Sequence, residues 1–286
     1  MKKLATVGLF GVLLLVSLGA FAQADASLTG EDILDQMQGT GSLFSEQEDA
    51  VFSTQFDFVY ADGTDGFSQF TFYAKQGDEE AGEADYLLIY YQAPEDIEGT
   101  IFLTHSLPDG EDRLWLFLPA LGLVKELVSE GEKEQSFGGT NLSLGQIGGG
   151  FEYSDDYAAV RLADETVIAT FDGVDEERAV YVLELTARPN ADTDYPMGIL
   201  WVDVIELLPL RTEFYNDLGN LEVTLDVHEL KTFDGDLTPT VIESRNVLDD
   251  SETTIRVLDQ RRTELPEELF DPANLSSFDP ATAEGE

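Results

Sequence analysis

In VFSTQFDFVY, Val51 to Tyr60, the side chains Phe52, Phe56, Phe58 and Tyr60 share one parity, while Ser53, Gln55 and Asp57 take the other. A period of two is the signature of a strand buried on one face, because successive Cβ atoms point to opposite sides. FSQFTFYAK repeats the pattern with Phe70 and Phe72, after a turn at Asp62-Gly63-Thr64-Asp65-Gly66. Further runs follow: DYLLIYYQ, GTIFLTHS, DRLWLFLP, AVYVLELTAR, GILWVDVI, LRTEFYN, LEVTLDVHEL, TPTVIESRN and TTIRVLDQR. Strands at a spacing of about ten residues, joined by turns such as Asn216-Asp217-Leu218-Gly219, predict one continuous antiparallel sheet and not a βαβ fold. Helical signals are few. Thr29 and Asp32 form a capping box ahead of Ile33, Leu34 and Met37, and a second short helix is expected around Leu144 to Ile147, between the glycine pairs Gly138-Gly139 and Gly148-Gly149.

The N-terminus is set apart from this pattern. Lys2 and Lys3 precede the apolar run Leu4 to Phe21 and the small-x-small site Ala22-Gln23-Ala24, so residues 1–24 read as a cleaved secretory signal peptide. The chain holds no cysteine, which excludes disulfides, thiolate metal sites, a cysteine nucleophile and a lipoprotein-type export signal. Residues 25–276 are expected to form a single β domain, and residues 277–286 a disordered tail. Acidic residues number 58 against 15 basic ones, and a formal charge of −43 repels nucleic acid and anionic lipid head groups. Such a surface suits a saline exterior.

Catalytic and metal motifs are absent. No serine lies in a G-x-S-x-G frame, and His105 and His228 each stand alone in a strand. There is no H-E-x-x-H and no dinucleotide or P-loop glycine frame. The run Asp78-Glu79-Glu80-Ala81-Gly82-Glu83-Ala84-Asp85 is explained by a solvated hairpin loop, and Asp62-x-x-Asp65-Gly66 lacks the distant bidentate glutamate of a calcium loop. Among 58 carboxylates some pair falls at glycosidase separation by chance, so pairing alone indicates no hydrolase.

Two strands are apolar on both faces. Leu87, Ile89 and Tyr91 alternate with Tyr86, Leu88 and Tyr90, and Leu114, Leu116 and Leu118 alternate with Trp115 and Phe117. Such strands are covered on both sides, by a second layer of protein as in a sandwich core or by a ligand in a cavity.

The order of several motifs narrows this choice. Asp112 to Leu121 (DRLWLFLPAL) is followed, after a short strand, by Gln135 to Ser143 (QSFGGTNLS). Later come Leu200-Trp201-Val202-Asp203, Leu208-Pro209-Leu210-Arg211, Glu213-Phe214-Tyr215, Gly219, Lys231, Asp234-Gly235, Pro239 and Leu269-Phe270-Asp271-Pro272. Together these resemble the outer membrane lipoprotein-sorting protein family, the LolA-like periplasmic carriers. The family's loop normally ends in acidic and aromatic residues. Here it reads Leu142-Ser143-Leu144-Gly145-Gln146, and Phe151-Glu152-Tyr153-Ser154-Asp155-Asp156 supplies such residues further on.

The resemblance implies a mainly β fold: a strongly curved antiparallel sheet, an unclosed β-barrel, with a few short helices covering its concave face over an apolar cavity. It implies a non-enzymatic periplasmic carrier or chaperone for lipoprotein acyl chains or another lipid, without cofactor, catalytic residue or metal. The expected partners are an inner-membrane transporter and an outer-membrane acceptor, with no nucleic acid, and the protein is expected to be a monomer. The alternative on the same fold is a lipid-sensing regulator of the kind that binds an anti-sigma factor. The expected cavity lining is Phe56, Phe58, Phe70, Phe72, Leu88, Tyr90, Trp115, Phe117 and Trp201.

Overall fold

The computed structural model describes residues 24–37, 49–77, 83–107, 112–149, 153–189, 191, 193–233 and 235–283. The signal peptide expected over residues 1–24 lies, but for Ala24, outside the described residues.

The alternating runs become strands. β1 (Ala50–Val59), β2 (Asp65–Lys75), β3 (Asp85–Ala93), β4 (Ile101–Ser106), β5 (Arg113–Leu118) and β6 (Leu123–Leu127) form an antiparallel meander. After the short helices α2 (Glu130–Lys133), α3 (Leu144–Gly149) and α4 (Tyr153–Asp156) come β7 (Tyr157–Arg161), β8 (Glu165–Phe171), β9 (Val174–Ala187), β10 (Met197–Asp203), β11 (Pro209–Tyr215), β12 (Leu221–Phe233), β13 (Asp236–Asn246) and β14 (Ser251–Arg262). One sheet holds all of them, in the order β11-β10-β9-β8-β12-β13-β14-β1-β2-β3-β4-β5-β6, with β7 paired to β9. β14 pairs β1 from Arg262↔Ala50 to Glu252↔Val59, which joins the first and last strands at the middle of the sheet.

The fold is mainly β and LolA-like, as expected, and the sheet curls upon itself at one end. β12 pairs β11 through Leu221 to Asp226, then shifts register around Val227 and Glu229 and pairs β8 in parallel at Glu229 and Leu230. Bulges of this kind bend a strand and let it change partner. β8 to β12 thus close a five-stranded ring, while β13 to β6 continue as an open curved sheet. Asp172 fastens the parallel step, accepting from the Thr232 backbone N–H at 2.9 Å and the Thr232 hydroxyl at 3.0 Å.

β7 and β8 are absent from the sequence reading. In β8 Ile168 is 76% exposed while Ala169 and Phe171 are buried, so its hydropathy does not alternate in the manner of β1. The N-terminal helix is found as read: α1 (Gly30–Gln36) starts at Thr29, whose hydroxyl accepts from the Asp32 N–H while the Asp32 carboxylate accepts from the Thr29 N–H.

After β14 the chain crosses the opposite face of β1–β5 as two 3-10 helices, Glu267–Phe270 and Pro272–Ser277, and helix α5 (Pro280–Ala283). Residues 277–283, expected as the start of a disordered tail, end this strap, and Ala283 is buried. Asp271 caps the second 3-10 helix by accepting from the Ala273 N–H at 2.8 Å, with Pro272 at the first helical position. Both faces of β3 and β5 are apolar because both are covered by protein.

Candidate functional site

Pairing register decides which side chains meet. Phe52 and Phe56 of β1, Phe70 and Phe72 of β2, Ile89 and Tyr91 of β3 and Phe102 of β4 fall on one face of the sheet and form one buried cluster. Phe56 and Phe70 lie edge to face at 5.0 Å between ring centroids, and Phe70 and Tyr91 at 4.8 Å. Such pairs add about 0.5–1.5 kcal/mol each beyond the area they bury.

Residues 136–147 cover this aromatic floor. Phe137 is fully buried, its ring 4.6 Å from Phe70, 5.4 Å from Tyr91 and 5.7 Å from Phe56, and Leu142, Leu144 and Ile147 pack beside it. The segment folds on itself: Phe137 N–H donates to the Leu142 carbonyl at 2.8 Å, and the Ser136 hydroxyl to the Thr140 carbonyl at 2.7 Å. Ser143 and Gln146 make a reciprocal cap for α3. The turn is made by Gly138 (φ +57°) and Gly139 (φ +87°), and a Cβ on Gly138 would stand 2.6 Å from Phe70 Cζ. Only glycine fits both the left-handed backbone and that approach. Few polar bonds hold the segment to the sheet: the Ser68 hydroxyl donates to the Gly138 carbonyl at 2.7 Å, Tyr60 donates to the Gly139 carbonyl, and Asn141 reaches Thr253 and Ser244.

A second cover lies over the same face at the other end of the sheet. Ile33, Leu34 and Met37 of α1 and Tyr153 of α4 pack on Tyr181, Leu183, Leu185, Leu200, Val202 and Phe214. The buried Tyr153 hydroxyl bonds Thr212 Oγ1 at 2.9 Å, and burial pushes its pKa up, so the phenol stays protonated.

The nine residues expected to line one cavity do not share one face. Phe56, Phe70 and Phe72 meet under Phe137. Phe58 stands at the rim of that floor, part-buried, against Tyr60 and Gly139. Leu88, Tyr90, Trp115 and Phe117 point to the opposite face, where Leu265, Phe270, Leu275 and Phe278 of the strap cover them. Trp201 belongs to a third cluster with Val182, Leu210 and Leu230, and its indole N–H donates to Glu165 at 3.1 Å. With both faces apolar, alternation alone could not say which residues share a side. Phe137, at the centre of the cover, stood inside the QSFGGTNLS motif but was not among the expected lining. The Ser143-x-x-Gln146 spacing was the available sign that the motif leads into a capped helix.

The charge on the site is low. Among the described residues, Asp203 is the only charged side chain that is fully buried, and it lies elsewhere, gripped by Arg178 through two bonds of 2.8 Å. No group of three or more His, Asp or Glu among the described residues is placed to hold a metal ion. No described helix is long and apolar enough to cross a membrane. The arrangement can therefore bury apolar matter.

Comparison with known proteins supports this geometry. A family model whose description reads "Uncharacterized protein" matches residues 83–277. No curated protein matches the sequence. Among solved structures, a domain assigned as an outer membrane lipoprotein-sorting protein from Vibrio parahaemolyticus is 26% identical, with a TM-score of 0.70 over 86% of this chain and 98% of its own. A DUF1329 family protein from Desulfovibrio piger is also 26% identical, with a TM-score of 0.73 over 86% of this chain and 97% of its own. A LolA superfamily protein from Nitrosomonas europaea, 20% identical, has a TM-score of 0.62 over 85% of this chain and 98% of its own, which shows the shared fold. The resemblance read from the sequence is borne out.

Proposed function

We propose that this chain, which belongs to the family matched over residues 83–277 and has the LolA-superfamily fold, is a periplasmic carrier that shields acyl chains of lipoproteins or another lipid on its concave face. The observation that carries the reading is the apolar cover: Phe137, Leu142, Leu144 and Ile147, on a segment that turns at Gly138 and Gly139, pack against an uncharged aromatic floor. Four such side chains contribute roughly 6–12 kcal/mol of gross burial at about 1.5–3 each. An acyl chain of about 15 methylenes gains a similar gross ~12 kcal/mol at ~0.8 per methylene. Because the two are of one size, the cargo displaces the cover without a large net cost and the cover displaces the cargo on release. No charged anchor and no nucleotide are needed, and transporter and acceptor act from outside this chain.

Native mass spectrometry with lipid extraction, on protein purified from the periplasm, tests this. Acyl lipid or lipopeptide at near one per chain is expected, together with transfer of the bound lipid to acceptor liposomes, which a sensor would not perform. A clean apo mass with no uptake of a fluorescent fatty acid would sink the carrier. Phe72→Ala and Trp115→Ala separate the two faces: each is expected to lower stability by about 3–5 kcal/mol, but only Phe72→Ala weakens the fatty acid. Equal weakening would reject the concave assignment.

A further inference from the structure

A row that carries three hydroxyls crosses the covered face between its two apolar halves. Thr253 pairs Ser244, Ser244 pairs Leu225, and Leu225 pairs Thr212. Directly paired residues point to the same side of a sheet. Thr253, Ser244 and Thr212 are each at least 98% buried. Leu225 and Leu200 continue the row; to one side of it lie Phe56, Ile242 and Ile255, to the other Val223 and Phe214.

In the covered state this row holds an amide. The Asn141 backbone N–H donates to Thr253 Oγ1 at 3.2 Å, and Asn141 Nδ2 donates to the Ser244 carbonyl at 3.2 Å. Two buried atoms beside these bonds, Ser244 Oγ and Asn141 Oδ1, have no hydrogen-bond partner among the described residues. The segment thus places apolar Phe137 and Leu142 on the floor and an amide on the seam, and it leaves one donor of the sheet unused.

We propose that this seam is the polar subsite for the cargo, and that it selects an uncharged secondary amide joining the acyl chain to the rest of the ligand. This rests on the carrier reading above. When the cover leaves, Thr253 Oγ1 and the Ser244 carbonyl take the N–H that Asn141 had supplied, and the Ser244 hydroxyl donates to the amide carbonyl. Asn141 mimics only the donor half of such a linkage, so the cargo satisfies a group that the cover leaves unpaired. A charged head group in the seam would be buried without a counter-charge, and an alkyl ether offers no N–H to Thr253 or Ser244.

The test uses the delipidated full chain, with N-ethylhexadecanamide and ethyl hexadecyl ether competing against a fluorescent fatty acid. Wild type is expected to prefer the amide by about three- to tenfold, the worth of one hydrogen bond. Ser244→Ala, which removes the donor to the amide carbonyl, and Thr253→Val, which removes an acceptor of its N–H, should each lower that ratio, and either variant serves if the other does not fold. The ratio is insensitive to loosening of the cover, which affects both probes alike. Equal affinities in wild type, or a preference that survives both substitutions, overturns the seam assignment and leaves the carrier intact. Failure to bind either probe overturns the carrier itself.

Discussion

Phe137 joins the cover to its floor through ring contacts with Phe56, Phe70, Phe72, Tyr91 and Phe102. Truncating a buried phenylalanine costs about 3–5 kcal/mol when the cavity it leaves does not collapse. On the proposed carrier reading this cost falls on the covered state, with which a ligand would compete. Phe137→Ala is therefore expected to lower the urea midpoint and to tighten fatty-acid binding at least several-fold, read by fluorescence titration. An affinity that is unchanged or weaker would show that Phe137 does not occupy the ligand's place. The residue itself was plain in the sequence. Its position was not, because what buries Phe137 is a floor built from β1 to β4, up to 87 positions earlier in the chain.

At the scale of elements, the C-terminal strap stands on 3-10 turns, whose hydrogen-bond geometry is poorer than that of an α-helix. It depends instead on side-chain anchors. His105 Nε2–H donates to the Phe270 carbonyl at 2.8 Å, with its ring between Tyr86 at 4.8 Å and Trp115 at 4.6 Å. Burial holds its pKa below the ordinary 6.5, the Phe270 bond opposes this, Arg113 adds to the lowering and Asp271 works against it. The unfolded chain thus binds the proton more readily than the folded one. Stability from this site is full above pH about 6.5 and is lost as pH falls through that value toward the lower folded pKa. Urea unfolding between pH 7.5 and 5.5 should show a fall in stability that His105→Gln, which keeps a donor for Phe270, makes shallower. An unaltered slope in that variant would remove His105 as its source. The strap's motif, Leu269-Phe270-Asp271-Pro272, is visible in the sequence, but the face it covers is not.

The whole molecule carries a formal charge of −43, and most of its few basic groups already serve local pairs such as Arg178 with Asp203 and Lys75 with Asp49. The remaining carboxylates repel one another across the surface, and salt shortens the reach of that repulsion to about 3 Å at 1 M. Calorimetry is expected to show a Tm a few degrees or more higher at 1 M sodium chloride than at 0.05 M; a flat or falling Tm would show that the surface charge does not oppose folding. By itself the sequence determined the class of molecule: the period of two in β1 and β2 fixes strands, Thr29 and Asp32 fix the start of α1, and the absence of cysteine leaves the core to hold the fold. The tertiary structure alone decided which apolar face is floor and which is held under the strap. In β3 and β5 both parities are apolar, so hydropathy is equal on the two sides, and only the path of residues 136–147 and 263–283 across the sheet distinguishes them. It also decided the five-stranded ring, since the turn of β12 from β11 to β8 arises from bulges near Val227 and Glu229, where register is set by long-range pairing and not by local preference.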